Sequence, residues 1–183
     1  MLGLALRNEG QLDAAIENFQ QALKIHDRYL PAMTNLAESY HSQKRFEEAA
    51  RYDAMALSID PNSLEAHANL GGSLAAMGRV SEAEREFREA VRLGPHEAKA
   101  RNDLGISLGS QGKLAEAEAA FRESIRLDPT YANAHFNLGV TLANSGHTKE
   151  AAAHLSEALR LNPDDRRTRQ ALETIAGATP NQQ

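Results

Sequence analysis

The chain has 183 residues, 42% of them hydrophobic but only 5% aromatic, with no Trp, no Cys and a formal net charge of −5. The charge argues against a general nucleic-acid or anionic-membrane binder, since both rely on clustered Lys and Arg. Absence of Cys excludes disulfides, thiolate nucleophiles and Cys-based zinc sites. A core short of rings must be built from Leu, Ala and small residues, which suits close helix packing better than a sheet sandwich. No apolar run approaches the roughly 20 residues of a membrane helix. Met1-Leu2-Gly3-Leu4-Ala5-Leu6-Arg7 is too short for a signal peptide's apolar core and lacks its basic front end. A cytoplasmic location and no membrane insertion by this segment are therefore expected.

Taken in chain order, residues 1–29 read as a helical hairpin lacking its first few residues, with Leu2-Gly3, Gly10, Ala15, Phe19 and Ala22 in register with the later units. Four complete units of 34 residues come next: 30–63, 64–97, 98–131 and 132–165. Their register is carried by Leu36, Leu70, Leu104 and Leu138, and by Ala37, Gly71, Gly105 and Gly139 just after them. Further on stand Ala49, Ala83, Ala117 and Ala151, then Ala56, Ala90, Ser124 and Ala158, and the units close on Pro61, Pro95, Pro129 and Pro163. Each unit splits into two amphipathic helices, 64–77 and 80–93 in the second, joined at Gly78. The Gly and Ala places are where helix backbones come within about 8–10 Å. Each Pro stops the second helix by removing a donor and crowding the preceding turn. Residues 166–176 predict one extra helix, a solubilising cap with Leu172 and Ile175 facing inward, and 177–183 a polar disordered tail.

Two departures fall in the 30–63 unit. Asp53 stands where Phe19, Phe87 and Phe121 stand elsewhere, and the expectation is that Tyr52 or Met55 repacks the gap while Asp53 reaches water. Lys44 replaces the turn glycine seen at Gly10, Gly78, Gly112 and Gly146, at a cost of about 1 kcal/mol if positive φ is required there. This unit is expected to be the weakest.

A 34-residue period with Leu-Gly, Ala, Ala and Pro in that order resembles the tetratricopeptide repeat. The resemblance implies an all-α fold: a right-handed superhelical solenoid of antiparallel helix hairpins, with four complete repeats, one N-terminally truncated repeat and a C-terminal capping helix, forming one array over 1–176. It also implies that the first helices line a concave face that takes an extended peptide, though it names no partner. By the helical period, the sixth place of each unit faces that groove, and there stand Asn35, Asn69, Asp103 and Asn137. A carboxamide offers donors and an acceptor together. The row is similar to the asparagine ladder in the superhelical arm of O-linked N-acetylglucosamine transferases, interrupted at Asp103; the alternative is that Asn serves helix packing. Nearby, Asn102, Ile106, Phe136 and Val140 give a small neutral lining with an apolar patch, and Lys99 and Arg167 add isolated positive charge. The carboxylate clamp of chaperone-tail co-factors in this family needs Lys, Asn, Asn, Lys and Arg; only Asn69 and Lys99 fall in suitable places, and Thr34, Glu38 and Asp103 stand where the rest should be, so that clamp is broken.

Nothing in the sequence points to catalysis, a cofactor or a metal. There is no HExxH and no phosphate loop. His67 and His135 read as packing residues, Gly71-Gly72 as a helix-packing pair, and Asp103 and Glu38 as carboxylates unpaired for acid–base work. The expected function is a protein–protein interaction scaffold for an extended peptide or partner protein, with no nucleic-acid partner. Two alternatives stay open: the substrate-recruiting arm of a larger enzyme such as a protein glycosyltransferase, and self-association through the truncated N-terminal hairpin.

Overall fold

The computed structural model describes residues 2–178; Met1, expected inside a helix, and residues 179–183 of the expected tail lie outside the described residues. The chain divides into two compact units, Met1–Gly94 and Pro95–Gln183. The first holds α1 (Leu2–Asn8), α2 (Leu12–Ile25), α3 (Leu30–Ser42), α4 (Phe46–Ile59), α5 (Leu64–Ala76) and α6 (Val80–Leu93). The second holds α7 (Ala98–Ser110), α8 (Leu114–Leu127), α9 (Ala132–Asn144), α10 (Thr148–Leu161) and α11 (Arg166–Ala178). These are all the regular elements among the described residues, and none of them is a strand. The last helix takes Gly177 and Ala178, which their polar surroundings in the sequence assign to the tail. No helix among the described residues is long and apolar enough to cross a membrane.

Within each hairpin the turn is one motif repeated five times. Gly10, Gly78, Gly112 and Gly146 sit at φ between 75° and 82°, and Lys44 takes the same turn at φ 60°. In the 64–97 unit the Arg79 N–H donates to the Leu74 carbonyl at 2.9 Å and the Gly78 N–H to the Ala75 carbonyl at 3.0 Å, the paired bonds of a Schellman stop. The other four turns repeat both bonds: Arg45 N–H to Tyr40 and Lys44 N–H to His41, for instance, each at 2.9 Å. Left-handed backbone is easy for glycine and strained for Lys44.

A second device ties four of the five turns between units. The carbonyls of Pro61, Pro95, Pro129 and Pro163 accept from His67 Nε2, Arg101 Nη2, His135 Nε2 and Arg169 Nη2 at 3.2, 3.4, 3.1 and 2.9 Å. The donor is always the fourth residue of its unit, six after the proline. His67 and His135 therefore do more than pack.

In four of the five hairpins the core rests on one close contact. A Cβ added at Gly3, Gly71 or Gly105 would stand 2.8, 2.8 or 2.6 Å from the ring of Phe19, Phe87 or Phe121, and one at Gly139 would stand 2.7 Å from Leu155 Cγ. In the 30–63 unit both members change together, to Ala37 and Asp53. Contrary to expectation, Asp53 does not reach water: it is 1% exposed. The helical period turns that place inward whatever side chain stands there. Neither neighbour repacks over it, because Tyr52 stacks on Tyr40 with ring centroids 5.8 Å apart and Met55 stays 40% exposed. Ala37 and Leu36 remain fully buried.

Glycines that look alike in sequence therefore differ in consequence. Gly105→Ala should destabilise by about 1–3 kcal/mol, because the Phe121 ring has to move. Gly109→Ala meets only Ala117 Cβ at 3.8 Å, an ordinary contact. It should be neutral or stabilising by up to about 1 kcal/mol through helix propensity. Lys44→Gly should stabilise by about 1 kcal/mol. Urea unfolding of the three variants checks the order.

Candidate functional site

In the Met1–Gly94 unit the candidate surface is formed by α3 and α5. Asn35 is half-buried, and its Nδ2 donates to the Pro31 carbonyl of its own helix at 2.6 Å. Asn69 occupies the same place on α5, yet its buried Nδ2 has no hydrogen-bond partner. One turn further along, the Ser73 hydroxyl is also buried and unpartnered. At the matching places, Ser39 Oγ donates to the Asn35 carbonyl at 2.7 Å and Thr141 Oγ1 to the Asn137 carbonyl at 2.8 Å. Gly72 lies between Asn69 and Ser73. It is not the packing glycine the sequence suggests: a Cβ there would meet only His41 Nε2, at 3.8 Å, whereas Gly71 carries the close helix contact. Across the unit, Glu38 is ion-paired with Arg7.

In the Pro95–Gln183 unit the predicted residues join one polar chain on α7 and α9. Asn137 Nδ2 donates to Asn102 Oδ1 at 2.8 Å, and Asn102 Nδ2 donates to Asp103 Oδ1 at 3.2 Å. Lys99 Nζ donates to Asp103 Oδ2 at 2.9 Å. Asn102 is buried beneath the surface at 2% exposure. Lys99 is thus not an isolated charge, and neither is Arg167. The Arg167 guanidinium lies 5.0 Å from the Phe136 ring centroid and its Nε donates to Asp165 Oδ1 at 3.1 Å. Ile106 is 49% exposed, while Phe136 and Val140 are half-buried. The apolar members stay exposed or half-buried while the polar ones hold each other.

Behind this surface, a second pairing links the fourth place of the first helix to the second helix. His67 Nδ1 lies 2.7 Å from Glu86 Oε2, and His135 Nδ1 lies 3.2 Å from His154 Nδ1. Burial, then His135 and Arg122, hold His154 below its ordinary value. Periodicity alone reveals neither this pairing nor the proline latch, although a donor six residues after each proline stands in the register. Among the described residues no group of three or more His, Cys, Asp or Glu is arranged to hold a metal ion.

Glycine-faced helix hairpins closed by Schellman turns and prolines define a tetratricopeptide-repeat protein, a repeat scaffold for protein interaction. The chain belongs to the family described as the cilia and flagella-associated protein 70 C-terminal domain, whose model matches residues 1–182. No curated protein sequence matches it. Among solved structures, MamA is similar with a TM-score of 0.81 at 22% identity, covering 91% of this chain and 98% of MamA. PilF of Pseudomonas aeruginosa is similar with a TM-score of 0.82 at 21% identity, covering 95% of this chain and 85% of PilF. YrrB, described as a TPR protein with an unusual peptide-binding site, has a TM-score of 0.75 at 24% identity, covering 93% of this chain and 88% of YrrB. These likenesses establish the fold.

Asp165 offers a local test. Hydrogen bonds from Arg167 and from Thr168, whose Oγ1 lies 2.7 Å away, hold its carboxyl down at about 2. A depressed carboxyl adds stability above its unfolded value, near pH 4, and loses it as pH falls toward 2. Amide exchange in α11 should therefore accelerate over that acid range. Asp165→Ala should cost about 1 kcal/mol of cap at neutral pH and remove the acid step in α11.

Proposed function

We propose that the chain holds an extended peptide segment along the first helices of its hairpins and performs no chemistry of its own. The observation that carries this reading is the Asn69 amide: buried, aligned with Asn35 on the preceding hairpin, and without a partner. An unmet buried donor is unfavourable by about 1–3 kcal/mol, and a peptide carbonyl laid across α5 would relieve it. Gly72 and the small residues Ala68, Ala75 and Ala76 leave room for a backbone to approach. In the Pro95–Gln183 unit the docking chemistry is apolar, through Ile106, Phe136 and Val140, with Arg167 over the Phe136 ring. YrrB lends the reading support as a similar fold with a peptide-binding site.

Such a segment should bind at about micromolar strength, since an unfolded peptide loses entropy on ordering. Binding should depend weakly on salt, because the charges near the surface are already paired. A displayed peptide library selects the ligand; titration at low and high ionic strength then measures the salt dependence. Asn69→Ala should leave the melting temperature unchanged or slightly raised and weaken the selected peptide by about 3–10-fold, one hydrogen bond's worth. Unfolding by Asn69→Ala would make the Asn row structural. A steep salt dependence would shift recognition to Lys99 and Arg167.

A further inference from the structure

The 30–63 hairpin holds a large anomaly of the Met1–Gly94 core. Asp53 occupies the ring place of α4 and is 1% exposed, and its Oδ1 has no hydrogen-bond partner. Both α3 and α5 pack on α4. Of the charged groups on these three helices, only Glu65 at the start of α5 acts on Asp53, and it repels a second negative charge. No cation or donor among the described residues compensates an ionised carboxylate, whose burial unpaired is prohibitive. The same hairpin turns on Lys44 at φ 60°, where the other four turns use glycine.

We infer that the α3–α4 hairpin is a pH-conditional joint, closed only while the Asp53 carboxyl carries a proton. Opening the hairpin lets the carboxyl hydrate and ionise as an ordinary aspartate. The sign is set by the direction of the shift: burial, then Glu65, pushes the closed-state carboxyl up to about 8 from the ordinary 3.8. A raised acid favours the closed form fully below the ordinary value, and that preference is lost as pH rises toward the closed-state value. Over that interval each pH unit multiplies the opening constant roughly tenfold. Neutral pH lies on the slope. The hairpin that opens carries Asn35 and packs against α5 with Asn69, so closure of this surface becomes a matter of pH rather than of contacts alone.

Segment-resolved native-state hydrogen exchange of the whole chain at pH 6, 7 and 8, corrected for intrinsic amide rates, tests the inference. Opening of α3–α4 should rise roughly 50-fold across the two pH units, the slope easing as pH reaches the closed-state value, with no comparable rise in α7–α8. Asp53→Asn, isosteric and unable to titrate, should make the α3–α4 profile flat. The double variant Ala37→Gly/Asp53→Phe restores the glycine–ring pair of the other hairpins; it should slow opening and also flatten the profile, which keeps the test intact if Asp53→Asn folds poorly. A flat wild-type profile, or a rise that survives in either variant, overturns the inference.

Discussion

The structure depends on one contact, made in four of its five hairpins: a glycine in the first helix lying against a ring or Leu side chain from the second. Because a methyl group at Gly105 would sit 2.6 Å from Phe121, the pair fixes the helix separation and, with it, the angle at which every other side chain leaves the seam. The alanines at the twentieth and twenty-seventh places extend the same approach; Ala49, Ala83, Ala117 and Ala151 are all fully buried. A core of this kind needs few aromatic residues, which accounts for a composition that would look thin in a sheet sandwich. The turns then need only stop and reverse the helix, and one Schellman motif per hairpin does so.

Packing so regular leaves the polar places free to vary, and the variation separates structural from available groups. At the sixth place, Asn35 bonds its own helix, Asn137 bonds Asn102, and Asp103 is tied to Lys99 and Asn102. Each is satisfied inside the chain, so a ligand gains little from it beyond what it must displace. Asn69 differs because nothing reaches its amide. The row, interrupted in the sequence at Asp103, thus holds three residues bonded within the chain and one buried amide without a partner. That difference matters energetically: exchanging a made hydrogen bond for another is nearly neutral, whereas meeting an orphan recovers its desolvation penalty.

Helix limits, turn glycines and the identity of the core were legible because they repeat at a fixed period, and repetition exposes each backbone constraint several times over. Leu36 and Leu138 are fully buried as their register required, and Val80–Leu93 forms the helix its pattern predicts. What periodicity hides is which of two adjacent residues makes the contact. Gly71 lies in the repeat register and Gly72 does not, yet the pair read together as packing glycines; the direction of the missing Cβ shows that one touches a ring and the other meets only His41 Nε2 at 3.8 Å. Partnering was hidden for a different reason. Lys99 and Asp103, or Arg167 and Phe136, are brought together by side-chain rotamers that register alone leaves undetermined.

Asp53 shows the limit most sharply. Charge in a sequence is ordinarily a sign of exposure, since aspartate is almost never fully buried without a partner. Here the fold overrides that rule, because neighbouring hairpins set the helix rotation and leave one inward place for whatever residue occupies it. The substitution of Ala37 for glycine opposite fits a smaller occupant: without a ring to admit, a methyl group is tolerated where the other hairpins allow none. Repeat architectures make such an exchange survivable, since each unit leans only on its neighbours and a local defect stays local. Lys44 lies in the same hairpin and strains the same turn. Had the two defects been spread over separate hairpins, each would have been a minor weakness. Placed together they fall on one segment, and under the pH-conditional joint proposed above that segment is the one a single titrating group would move.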